Sequence, residues 1–274
     1  MDYFRDKIAI ITGGASGIGA AVARELGKRG AIVIVTDINV EGARNVAQEI
    51  VSGGGRAAGY VLDVTREREV KRLIDEAVKK NGRIDFMFNN AGIPIVGEVF
   101  DMTLDHWRDI IDVNLMGVMY GTIHAYAIMV KQGFGHIVNT ASLAGLVPVP
   151  TEVAYTMTKY AVVGLTTSLR AEGREYGVRA SVVCPGFVKT NIYNAGHFLG
   201  VSDREPFFKK IPFMLGAGKA ARVILGGVKK NKEIITVTKH AWLLWIHYRI
   251  HPALLFFFHR MLTRTLRSHK KPQA

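Results

Sequence analysis

Residues 8–19 read IAIITGGASGIG. The run Ile8–Thr12 is apolar or β-branched throughout, without in/out alternation, which marks a strand buried on both faces. A glycine turn follows at once, and a helical pattern then runs from Gly17 to Arg29. Only between a strand and a helix does such a turn carry chemical meaning. Gly13 permits a bend that a Cβ would obstruct, Gly17 lets backbone approach a ligand, and Gly19 lets the helix sit close to the strand. Ser16 and Ile18 belong to the same turn. The helix N-terminus offers free N–H groups and partial positive charge to a phosphate. Glycines also mark ordinary tight turns, so the turn alone leaves both readings open.

Outward from this unit the alternation repeats. Further strand-like runs lie at Ile32–Thr36, Ala57–Leu62, Ile84–Asn89, His136–Thr140 and Arg179–Val183, with one more expected at Ile234–Val237. Between them, helical patterns cover Glu41–Val51, Glu67–Lys80, Leu104–Val130, Val153–Tyr176 and Gly218–Lys230. Strand and helix in alternation predict an α/β fold, a doubly wound parallel sheet with helices on both faces. The 274 residues hold no internal repeat and no low-complexity linker. The expectation is a single domain over 1–240 and a helical appendage over 241–274.

Asp37 ends the second strand, 18 residues after Gly19. A carboxylate there accepts both ribose hydroxyls of NAD and repels the 2′-phosphate of NADP, and no Lys or Arg lies between Gly13 and Gly19 to welcome that phosphate. The alternative is a cap on the helix near Glu41. Asp63 and Val64 close the third strand. The Asp63 carboxylate suits the exocyclic amine of adenine, the cap of the next helix, or both. In NNAG at 89–92, Ala91 and Gly92 are small where the chain would pass a cofactor, and Asn90 is grouped with them; Asn89 reads as structural.

The chemical half follows. Ser142 ends the strand HIVNTAS, and Tyr155 and Lys159 follow in YTMTK. Four residues is about one helical turn, so both side chains share a face. A phenol with a reference pKa of about 10 is a poor base at neutral pH, and a nearby ammonium lowers that value by roughly 1–3 units. A positive nicotinamide pushes the same way. Ser142 is placed to hydrogen-bond the substrate oxygen against Tyr155. Alone, Y-x-x-x-K is commonly a solvated helix face. After a strand-end serine and a dinucleotide half, it is not.

In these motifs the chain resembles the short-chain dehydrogenase/reductase family over about residues 6–240. The resemblance rests on TGGASGIG, Asp37, DVT at 63–65, NNAG, Asn114, Ser142, the Tyr155/Lys159 pair and PG at 185–186, in family order. It implies a Rossmann fold and a catalytic set of Asn114, Ser142, Tyr155 and Lys159. It also implies Lys159 on the nicotinamide ribose, Asn114 holding a water that relays protons, and Pro185, Gly186 and Val188 lining the nicotinamide. Thr190 would touch the carboxamide or pyrophosphate. Homodimers or homotetramers through the helices at 104–130 and 153–176 are implied as well; from the residues alone Asn114 reads as a helix irregularity.

For the substrate, Phe187–Gly216 reads as a lid rich in Phe, Ile and Tyr, and Leu143, Leu146, Val147, Pro148 and Val149 follow the serine. An apolar wall with one polar centre suits a hydrophobic secondary alcohol or ketone, steroid, retinoid or lipid-like; packing of the lid on the body is the plainer account. Lys209 and Lys210 suit an acidic substrate or a solvated pair. NADPH-linked carbonyl or oxoacyl reduction, and a membrane-docked nucleotide scaffold without turnover, stay open.

The formal net charge is +13, and seven bases with no acid follow Glu233. They sit among Trp242–Ile246 and the run Leu254–Phe258, interrupted by His247, Arg249, His251 and Pro252. That mixture points to a membrane surface rather than a spanning helix; a helix packing on the body or a partner subunit is the alternative. Nucleic acid is not expected, since no binding motif accompanies the charge. His240, His247 and His251 share a helical face, but without a nearby carboxylate no metal site is expected. One cysteine, Cys184, excludes an internal disulfide and reads as a small buried hydrophobe. No signal-peptide pattern opens the chain, so the expected setting is cytoplasmic, peripheral on a membrane if the tail docks.

Overall fold

The computed structural model describes residues 2–190, 196–199 and 214–268. Seven strands form one sheet: β1 (Ile8–Thr12), β2 (Ile32–Asp37), β3 (Arg56–Val61), β4 (Phe86–Asn89), β5 (Gly135–Thr140), β6 (Val178–Cys184) and β7 (Ile234–Thr236). Their spatial order is β7-β6-β5-β4-β1-β2-β3, and every neighbouring pair is parallel.

The first strand shows why the apolar runs do not alternate. Ala9 and Ile11 face one way, into a cluster with Leu26, Val46 and Leu225 from α1 (Gly17–Lys28), α2 (Val40–Ser52) and the late helix Ala217–Lys229. Ile8 and Ile10 face the other way, onto Ile74 of α3 (Glu67–Asn81) and Met129 of the helix Gly117–Gln132. Both faces are dry, so both need apolar residues, each buried Ile contributing about 1.5–3 kcal/mol. Strand order reverses between β1 and β4, which pair at Ile11 and Phe88. The crevice beyond their carboxyl ends is where this architecture places ligands.

One expectation is corrected. The stretch 104–130 is not a continuous α-helix but α4 (Leu104–Ile111), a π-helical turn over Asp112–Met116 and α5 (Gly117–Gln132). The cause is Asn114, wholly buried in that turn. Its Oδ1 accepts from Ile93 N and its Nδ2 donates to Ile93 O, each at 2.8 Å. The side chain thereby ties the helix to the loop after β4.

Then come α6 (Val153–Gly173), α7 (Ala217–Lys229) and the tail helices α8 (Lys239–Ile250) and α9 (Pro252–Ser268). Two short parallel pairings, Ile95–Val96 with His197–Phe198 and Val188–Lys189 with Leu215–Gly216, flank the cleft. Most of the expected lid, including Ile192, Tyr193, Phe207, Phe208, Lys209, Lys210, Ile211 and Phe213, lies outside the described residues, as do His269, Lys270 and Lys271.

Candidate active site

The glycine turn is held by the strand end beside it. Gly13 has φ +64°, and a Cβ there would lie 2.7 Å from Ala91 Cα. Thr12 Oγ1 accepts from Asn90 N at 3.0 Å and Ala91 N at 3.1 Å, while Asn90 Nδ2 donates to Thr12 O and Gly13 O, each at 3.1 Å. Asn90 thus clamps the turn as well as lining the cavity. Asn89 instead ties β4 to β5 and α5 through Asn139 at 2.8 Å and Thr122 at 3.2 Å. Gly19 does not reach the cavity; a Cβ there would sit 2.1 Å from Gly13 O, so its role is the close seating of α1.

Asp37 Oδ2 accepts from Ala15 N at 3.0 Å, which fixes the carboxylate against the turn. It does not cap α2; Asn39 does, accepting from Gly42 N at 3.0 Å. Asp63 likewise leaves α3 uncapped and closes a turn on Thr65, accepting from its N at 2.9 Å and its Oγ1 at 2.7 Å.

At the far end, Ser142 opens a 3₁₀ turn, Leu143–Gly145, with its Oγ accepting from Ala144 N at 3.2 Å. Tyr155 and Lys159 stand one turn apart on α6, both buried, with Lys159 Nζ 5.4 Å from the Tyr155 ring centre. Nζ donates to Thr140 O at 3.1 Å. Burial pushes the Lys159 ammonium down to about 8. A Cβ at Gly92 would stand 3.1 Å from Asn114 Oδ1 and 3.4 Å from Lys159 Nζ, so Asn114 lies directly behind Gly92 beside the lysine, not in the cavity wall. Tyr155 packs with Ile95, Ile110, Ala144 and Ala154, bordered by Trp107, Val149 and Leu199. Leu146 turns away, into a core with Val162 and Val182, so packing accounts for it.

The glycine turn, the two aspartates and the Ser142/Tyr155/Lys159 set border one cavity of about 390 Å³. Its wall runs from Asp37, Asp63 and Val64, past Gly13, Ser16, Gly17 and Ile18, to Asn90, Ala91 and Gly92, and ends at Ser142, Tyr155, Lys159, Pro185, Gly186, Val188 and Thr190. Ile38, Leu62, Ile93, Val113, Thr140 and Ala141 also line it and were not anticipated. Five of them directly adjoin marked residues and Thr140 lies two from Ser142, a usable signal. His240 carried none. Its Nε2 accepts from Phe187 N at 3.1 Å, its ring stacks on Phe187 at 5.4 Å, and a Cβ at Gly186 would meet it at 2.3 Å. The tail's first turn therefore supports the Pro185–Phe187 loop from behind, across more than fifty residues of sequence. Cys184 is wholly buried and its thiol is pushed up to about 12, mainly by burial, so it is inert.

The short chain dehydrogenase family profile matches residues 7–196. Cyclohexanol dehydrogenase of Acinetobacter sp. is 40% identical over 190 residues, covering 68% of this chain and 75% of that relative. A short-chain dehydrogenase/reductase structure from Burkholderia phymatum in complex with NAD superposes with TM-score 0.80 at 27% identity, covering 100% of this chain and 99% of the other. A metagenomic short-chain oxidoreductase in complex with NADP gives 0.64 at 37% identity, covering 66% and 83%. The chain belongs to the short-chain dehydrogenase/reductase family. It is an oxidoreductase of alcohols or ketones that uses a nicotinamide dinucleotide.

The residues present fit that cofactor. Ser16, the N-cap of α1, makes no side-chain cap bond and the first turn holds no acid, so its N–H groups are left for a pyrophosphate. Gly17, at φ +56°, and Gly92 keep the wall open where a Cβ would narrow it.

Proposed function

We propose that this protein interconverts hydrophobic secondary alcohols and ketones with NAD(H). One observation carries the reading: a phenol, an ammonium and a serine hydroxyl converge at the apolar end of a cavity whose other end holds a turn-anchored carboxylate. Asp37 would hold the adenosine ribose hydroxyls, the start of α1 the pyrophosphate, and Lys159 the nicotinamide ribose. Bound NAD supplies the hydride acceptor for oxidation. Ser142 orients the alcohol oxygen, and Tyr155 Oη, as phenolate, takes the hydroxyl proton. Lys159, buried beside it, is the nearby positive charge that favours the phenolate. In the reducing direction Tyr155 returns the proton to the carbonyl oxygen.

The apolar surround of Tyr155 supports a hydrophobic substrate, and the relative that acts on cyclohexanol supports a secondary alcohol. Asp37, with no base in the glycine turn, supports NAD over NADP. Pairing of two copies through α5 and α6 belongs to the same reading, supported by the exposed Ile123 and Met157; light scattering measures it. The test of activity is NADH fluorescence over cyclic, steroid and long-chain secondary alcohols. Turnover should fall by roughly 10²–10⁴-fold in Tyr155→Phe with NADH binding intact. A variant as fast as the wild type removes the proposed base.

A further inference from the structure

The tail has an inner face, packed on the body, and an outer face that is largely exposed. Ala241 and Leu255 are buried, and Trp245 packs on the Val162/Val182 core. His240 holds Phe187, and Arg267 pairs with Glu98 at 2.7 Å. What remains outside is unusual for a soluble surface: Trp242, Leu243, Leu244, Ile250, Phe256 and Phe257 are 36–65% exposed within sixteen residues. Exposed Lys239, Arg249, Arg260 and Arg264 are interleaved with them, and no acid follows Glu233. Isolated exposed apolar residues need no explanation, but a run of this size does.

We infer that the outer face of α8 and α9 docks on an anionic lipid surface. Aromatic and aliphatic side chains enter the headgroup boundary, and the bases meet lipid phosphates. Length excludes spanning: α8 has 12 residues and α9 has 17, against the roughly 20 apolar residues a crossing helix requires, and α9 is studded with bases. Charge disfavours a second copy as the occupant, because its tail would bring only like charge to this one. The placement adds a consequence. The tail starts on Phe187, beside the cavity-lining Gly186, and ends on Glu98, whose neighbour Gly97 bridges to Glu152, one turn before Tyr155. A docked tail would therefore set both lips of the cleft against the lipid, so that a hydrophobic alcohol enters from the bilayer. That last step rests on the proposed activity; the docking does not.

The test is flotation of the full-length protein with vesicles of phosphatidylcholine alone or mixed with phosphatidylglycerol, at low and high salt. The wild type should bind the anionic vesicles preferentially and be released by salt. A Lys239→Gln/Arg260→Gln/Arg264→Gln variant should bind about 100-fold more weakly while keeping its melting temperature and NADH affinity. Trp242→Ser/Phe256→Ser/Phe257→Ser should lose binding even at low salt. Equal binding to neutral and anionic vesicles, or a Gln variant within about threefold of the wild type, overturns the assignment. So does a lipid-free dimer that the Ser variant dissociates, which would give this face to a second copy. For delivery, the Gln variant should lose turnover of an alcohol presented in anionic vesicles and keep turnover of a soluble one. Docking without turnover of any alcohol would defeat the proposed activity alone.

Discussion

Replacing Lys159 by Met should stabilise the cofactor-free protein while abolishing its chemistry. Lys159 is 3% exposed, and burial holds its ammonium at about 8, against 10.5 for a solvated lysine. Between those values the unfolded chain carries a proton that the folded chain lacks, so stability rises with pH across that window. Below pH 8 both states are protonated and the folded protein bears the whole desolvation cost. A gap of about 2.5 units is about 3 kcal/mol at pH 7, and about 1.4 kcal/mol of it remains at pH 9.5. Met removes this cost but also the Nζ bond to Thr140 O, worth about 1 kcal/mol. The net gain is then about 2 kcal/mol at pH 7 and close to nothing at pH 9.5. Urea unfolding of both proteins at the two pH values, with matching m-values, measures it. A Lys159→Met protein that is less stable at pH 7, or whose difference from wild type ignores pH, would show that the amine is not desolvated. The premise that this site keeps a destabilising charge for function would fall with it.

Other substitutions probe the remaining parts. Asp37→Ala should weaken NADH about tenfold and narrow the gap to NADPH, as fluorescence titration with each cofactor would show; an unchanged ratio removes Asp37 as the selector. His240→Ala should weaken NADH about fivefold by freeing Phe187 N, with His240→Gln recovering part of the loss; calorimetry that finds all three proteins alike would detach the tail from the cofactor loop. Gly19→Ala forces a Cβ against Gly13 O, and overpacking of this kind costs about 1–3 kcal/mol. Thermal unfolding should show a fall of several degrees, and an unshifted midpoint would mean that α1 is not closely seated.

The strands were legible because burial on both faces leaves an unalternating apolar signature, as in Ile8–Thr12, and the helices because their apolar residues recur with the helical period. The candidate reacting groups stood out for a different reason. Their chemistry demands particular side chains at a fixed helical spacing, which Tyr155 and Lys159 satisfy within one element. What escaped depends on partners far apart in the chain. The π-helical turn exists because Asn114 bonds the backbone of Ile93, 21 residues earlier, and no local pattern announces it. Leu146 and Val149 look alike in the sequence, yet one enters the β6 core and the other borders Tyr155. The tail carries the same ambiguity on a larger scale. Trp242 and Trp245 differ by three residues, and only the packing of α8 decides that one turns inward and the other stays at the surface. Composition could therefore suggest both a packed helix and a lipid-facing one; the structure packs Ala241, Trp245 and Leu255 against the body and leaves Trp242, Phe256 and Phe257 exposed on the same segment.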